Sequence, residues 1–180
     1  DSPDLVPARP PFTPVQPGQR QLIRLVRLQP PAGQHGDADR IVIDEIPASA
    51  ASQTNSNNAG LIMRMRYVLP LFLYGQGIAP VSQDGPVSAI QHSLSWKVVS
   101  EKGQSLLAIA NHGAMHARLS DIFWGSDAQH PAAYVSKGFL GYVLPGQTVL
   151  FPLTAHQTPG NLLFSRLADN VAPVGIAADR

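Results

Sequence analysis

From Leu61 to Leu69 a large apolar side chain stands at every second position: Leu61, Met63, Met65, Tyr67 and Leu69. Alternate residues of an extended chain point to opposite faces, so these five share one side of a strand. The intervening Ile62, Arg64, Arg66 and Val68 turn both arginines of the segment to the other side. A strand with so apolar a face either buries it in its own sheet or inserts it into an incomplete partner.

The rest of the chain is punctuated for strands as well. Fifteen glycines and seventeen prolines are scattered between apolar runs instead of being clustered, and no long stretch repeats with a helical period. That pattern predicts many short strands joined by turns, an all-β protein. In the first half the strand candidates are Phe12–Val15, Gln21–Leu28, Arg40–Ile46 and Leu61–Leu73, with the Ser/Asn/Ala-rich Pro47–Asn58 read as a mobile loop. In the second half they are Leu94–Val99, Leu106–Ala110, Ala117–Phe123, Tyr134–Val135, Tyr142–Leu144, Thr148–Leu153 and Leu162–Leu167. Turn residues separate them, and about seven strands at spacings of roughly 8–12 residues suit an immunoglobulin-like sandwich. The Gly, Pro, Ser and Gln residues of Gly75–Pro86 read as a linker, which divides the chain into residues 1–76, a connection at 77–88 and residues 89–180. Four strands are too few to close the first sandwich, so it is expected to lack its N-terminal strands or to be completed by another chain.

Composition removes several function classes. Only 14% of residues are charged and the net charge is +1, so no basic field suited to nucleic acid is present. Cysteine is absent, which excludes disulfides, thiolate metal sites and thiol catalysis. The longest apolar run, Tyr67–Tyr74, is interrupted by Pro70 and far too short to insert into a membrane. The opening Asp1-Ser2-Pro3-Asp4 has neither a basic start nor an apolar segment, as expected of an exported protein given in processed or incomplete form. His112 and His116 are four apart, but Gly113 and the flanking strand pattern place them on a hairpin, where that spacing does not pair them on a metal. No nucleophile elbow accompanies Ser100, Ser120 or Asp121, so no enzyme, metal or cofactor is expected. Trp96 and Trp124 read as core or interface aromatics.

The order of motifs resembles one known family. Pro10-Pro11-Phe12, the Pro17-Gly18 turn with Gln19–Leu25 ending near Arg24, Arg40–Pro47 with its Glu45-Ile46-Pro47 ending, Leu61–Phe72, Asn111-His112-Gly113, His116–Leu119 and Tyr142–Gly146 follow one another as in the periplasmic chaperones of the chaperone–usher pathway, which assemble bacterial pili. The Leu69-Pro70-Leu71-Phe72 ending and the long loop before it are similar to the archaic branch that serves spore-coat-U-type fimbriae. The resemblance implies two immunoglobulin-like (PapD-like) sandwiches in an L, the first incomplete at its N-terminus, with the long strand facing the cleft. It implies a pilus subunit and an outer-membrane usher as partners, a periplasmic location, and a donor strand that fills the groove of a subunit lacking its last strand.

Counting back from Phe72 puts the donor side chains on Leu61, Met63 and Met65, with Tyr67 next, the face already selected by alternation. Burying each such side chain is worth about 1.5–3 kcal/mol, and methionine repacks easily against different grooves. Two basic residues of the family hold the subunit's terminal carboxylate; here the position before the aromatic is Pro70, and Arg64 or Arg66 is the candidate replacement. Glu45 and Asp169 match acidic residues of an interdomain contact whose central arginine is replaced by Tyr74. The rival reading is an immunoglobulin-like adhesion or structural module that keeps the Leu61–Leu69 face in its own core; a carbohydrate-binding accessory domain would need an exposed aromatic platform.

Overall fold

The computed structural model describes residues 6–29, 33–46, 64–78, 87–154, 157, 160–169 and 171–179. Leu61, Ile62, Met63 and the Pro47–Asn58 loop lie outside the described residues, as does most of the linker.

Two antiparallel ribbons come first. Strands β1 (Ala8–Arg9) and β2 (Arg24–Leu25) pair with Ala8 opposite Leu25. Strands β3 (Asp37–Asp44) and β4 (Arg66–Leu73) pair over their whole length, from Asp37 opposite Leu73 to Asp44 opposite Arg66. The expected Phe12–Val15 strand does not form; the pairing starts upstream at Ala8, and only Arg24–Leu25 of the second candidate joins it. Apolar content without a ladder partner does not make a strand. Arg64 and Met65 likewise precede β4 instead of belonging to it.

A short helix, α1 (Val87–Ser93), opens the second half, where the sequence offers no period long enough to reveal it. Its Ile90 is buried in the core, and the Ser93 hydroxyl donates to the Ile90 carbonyl at 2.7 Å. Seven strands follow: β5 (Leu94–Glu101), β6 (Gln104–Asn111), β7 (Ala117–Asp127), β8 (His130–Val143), β9 (Thr148–Pro152), β10 (Leu163–Arg166) and β11 (Val174–Ala178). Their order is β8-β7-β10-β11-β5-β6-β9. Val174–Ile176 of β11 pair antiparallel with β10, while Ala177 and Ala178 pair parallel with β5, so this strand crosses from one layer to the other. Between the layers lie Leu94, Leu107 and Ile109 from one side and Leu119, Ile122, Trp124 and Leu163 from the other, all buried.

Local chemistry explains the connections. Lys102 (φ 50°) and Gly103 (φ 81°) both adopt left-handed backbone between Glu101 and Gln104, the two-residue turn whose twist matches a hairpin. At the β7–β8 turn the Asp127 carboxylate accepts from the backbone N–H groups of Gln129 and His130 at 2.8 and 3.0 Å. Strand β8 is continuous where the sequence suggested two strands. Its glycines read as a turn, yet Gly138 and Gly141 sit at register shifts inside the ladder, with the Gly138 N–H donating to Asp121 at 2.8 Å. The expectation of an all-β protein therefore holds, with one helical turn pair added and β11, hidden among small residues, missing from the sequence reading.

Candidate partner-binding site

Strand β4 has β3 as its only ladder partner among the described residues, so its other edge presents unpaired N–H and C=O groups. The register sorts the side chains of the ribbon into two faces. One carries Ile41, Ile43, Tyr67 and Leu69; the other carries Arg40, Val42, Arg66, Val68 and Phe72. Met65 is half exposed beside Tyr67, whose hydroxyl lies 3.5 Å from the Met65 sulfur, so the two share a side as the alternation requires. Tyr67 and Leu69 are exposed to 49% and 46%, a large apolar surface left in solvent.

The second face borders a cleft of about 910 Å3 between the ribbon and strand β8. Arg40, Val68, Pro70 and Phe72 form one wall; Phe139, Tyr142 and Leu144 form part of the other. Met65 and Tyr67, the sequence candidates, thus lie on the ribbon face that alternates with the cleft wall.

The candidate cations separate clearly. Arg66 faces Asp44 across the ladder, with Nε to Oδ1 at 2.5 Å and Nη2 to Oδ2 at 3.0 Å. The hydrogen bonds from Arg66 hold the Asp44 carboxyl below its ordinary value and raise the guanidinium in turn. Arg64 is exposed ahead of β4. Arg40, which sequence reasoning missed as a binding residue, stands on the cleft wall, with no hydrogen-bond or ion-pair partner among the described residues. Its neighbour Asp39 also borders the cleft. The signal was present only across the ladder, because Arg40 is the register partner of Pro70.

Glu45 and Asp169 are not brought together. The Glu45 carboxylate accepts from the Met65 N–H at 3.2 Å, and Asp169 pairs with Arg118 at 2.6 Å within the sandwich. What joins the ribbon to the sandwich is mostly aromatic. The Phe72 ring stacks on His116 at 3.5 Å between centroids and 8° between planes, and meets Tyr142 edge-on at 4.7 Å. Such pairs are worth about 0.5–1.5 kcal/mol each beyond the area they bury. Arg27 donates to the Tyr74 carbonyl at 3.0 Å, and the Gly36 N–H to the Ala114 carbonyl at 2.9 Å.

His112 and His116 diverge as the hairpin reading requires: His112 Nε2 lies 2.8 Å from the Ser95 hydroxyl, while His116 belongs to the aromatic junction. No cluster of metal-ligating side chains occurs among the described residues, and no helix there is long and apolar enough to cross a membrane. Trp96 and Trp124, distant in sequence, meet edge-to-face at 4.8 Å, and burial of Trp124 removes them as an exposed platform.

Three comparisons bear on this geometry. No curated protein matches the chain in sequence. A chain of the CsuC–CsuE chaperone–tip adhesion subunit pre-assembly complex, from the archaic chaperone–usher Csu pili of Acinetobacter baumannii, is similar in structure at a TM-score of 0.70 and 23% identity, over 98% of this chain and 76% of that one. Residues 2–79 match the family model described as pili and flagellar-assembly chaperone, PapD N-terminal domain. Through that segment, and with a fold shared along nearly its whole length, the chain belongs to the pilus-assembly chaperones.

Proposed function

We propose that this protein binds a pilus subunit by donor-strand complementation along the free edge of β4, and delivers it to an outer-membrane usher in the periplasm. The observation that carries this reading is the unpaired β4 edge with Met65, Tyr67 and Leu69 exposed beside it. An incoming strand gains ladder hydrogen bonds from that edge and apolar contacts from that face. Leu61 and Met63 extend the same alternation and complete the donor set. The work is binding alone, with no catalysis and no cofactor. Two domains, residues 1–76 and 89–180 joined at 77–88, are the organisation that suits it, with the helical turn at Val87–Ser93 closing onto the second core.

Arg40 is the residue best placed to receive the subunit's terminal carboxylate, ahead of Arg64 and of Arg66, which Asp44 already engages. A guanidinium beside apolar walls suits a chain end that is apolar along its length and anionic at its tip. Exposure of Met65, Tyr67 and Leu69 weighs against the adhesion-module reading, which needs that face inside its own core.

The test is co-expression with candidate pilin subunits and affinity capture, comparing the parent with a Met65→Glu, Tyr67→Glu variant. Loss of the captured subunit from a variant that keeps its circular dichroism spectrum supports strand donation. Equal capture by both forms would remove it.

A further inference from the structure

Four rings form a continuous series where the ribbon meets the sandwich. Phe72 stacks on His116 at 3.5 Å, both contact Tyr142 edge-on at 4.7 and 5.5 Å, and Tyr142 meets Phe139 at 5.4 Å. Arg118 covers the far end, with its guanidinium carbon 4.8 Å from the Phe139 ring centre and its tip paired with Asp169. Three of these rings, Phe72, Tyr142 and Phe139, also line the cleft. His116 is the member that does not line it: it stands behind Phe72, on the loop between β6 and β7.

Neither Glu45 nor Asp169 ties the two halves together, since each carboxylate is occupied within its own half. The remaining bonds across the junction are single hydrogen bonds to the Tyr74 and Ala114 carbonyls, which hold two points of the backbone but leave the tilt of the ribbon free. A ring stack constrains tilt, because nearly parallel planes at van der Waals distance lose contact on rotation.

We propose that His116 is a positioning residue, a flat wedge behind Phe72 that fixes the tilt of β4 against the sandwich and thereby sets the opening of the cleft. The inference goes beyond the function proposed above and does not depend on it, because it concerns the shape of the free molecule. The stack needs a planar ring, and burial that depresses the imidazole pKa keeps that ring neutral near pH 7.

The chain has no cysteine, so two can be introduced for spin labels without interference. Val42→Cys on β3 and Ser100→Cys on β5, both exposed, report the distance between ribbon and sandwich. Double electron–electron resonance on the labelled parent is expected to give one narrow distance distribution. His116→Ala broadens it at least twofold, and His116→Phe, which restores a flat ring, narrows it again. Near-ultraviolet circular dichroism of the Trp96–Trp124 pair shows in each case whether the sandwich is intact. If His116→Ala unfolds, Phe72→Leu removes the stack from the ribbon side and is expected to broaden the distribution equally. An unchanged width in the folded His116→Ala protein, or in Phe72→Leu where that variant replaces it, overturns the proposal, as does a His116→Phe protein as broad as His116→Ala.

Discussion

Arg40 stands directly opposite Pro70 in the β3–β4 register, so the positive charge of the cleft wall resides on the inner strand of the ribbon and the outer strand carries none at that level. Proline removes a ladder donor and belongs on an edge, which suits a strand whose free side receives a partner.

Arg40→Ala is accordingly expected to weaken subunit binding by about tenfold to a hundredfold, the range implied by a charged hydrogen bond worth about 1.5–3 kcal/mol. Arg66→Ala is expected to cost less, since the Arg66 guanidinium is committed to Asp44. Calorimetric titration with a purified subunit or its C-terminal peptide decides between them. A larger loss at Arg66 would move the anchor there.

Two leucines separate packing from binding. Leu119, 1% exposed, sits in the sandwich core, and Leu119→Ala is expected to destabilise it by about 2–5 kcal/mol. Leu69 is 46% exposed, so Leu69→Ala is expected to change stability by no more than about 0.5 kcal/mol while weakening subunit capture. Urea unfolding followed by tryptophan fluorescence measures the first effect, and affinity capture the second.

Asn111 is buried where three segments meet. Its Nδ2 donates to the carbonyls of Met115 at 2.8 Å and Val143 at 2.9 Å, and its Oδ1 accepts from the Gly113 N–H at 2.9 Å. Asn111→Ala strands these backbone groups away from water and is expected to lower stability by about 2–4 kcal/mol, given about 1–3 kcal/mol for each unsatisfied group. Thermal unfolding of the variant tests this; a loss under 1 kcal/mol, on the same order-of-magnitude scale, would mean that water reaches the site.

Burial pushes the His116 pKa below its ordinary 6.5. As pH falls through 6.5 the unfolded chain takes up this proton first, so His116 costs stability progressively from there down to its folded pKa and has no effect on the slope above pH 6.5. Proton NMR titration of the ring is expected to show the lowered midpoint. Stability measured across the same interval is expected to lose that part of its slope in His116→Phe.

Much of this molecule is written locally. Alternation announces β4, Lys102-Gly103 announces the β5–β6 hairpin, and paired apolar runs locate β5, β6, β7 and β9, because each depends on neighbours in sequence. Strand β11 was invisible: Val174–Ala178 is small and weakly patterned, and its place comes from pairing with β10 and β5 across the fold. The gap within β8 misled for a related reason, since a glycine at a bulge and a glycine at a turn look alike until the partner strand is known. The site divides the same way. Tyr67 and Met65 can be picked from spacing, but Arg40 becomes a cleft residue only through its partner Pro70, and His116 a junction residue only through Phe72.

The crossing of β11 between layers has a mechanical consequence. Its first residues are zipped to β10 and its last to β5, so peeling either sheet apart drags on the other. A sandwich stitched this way lacks an independent half to lose first: it yields as one unit, and the last few residues before the C-terminal end act as its seam.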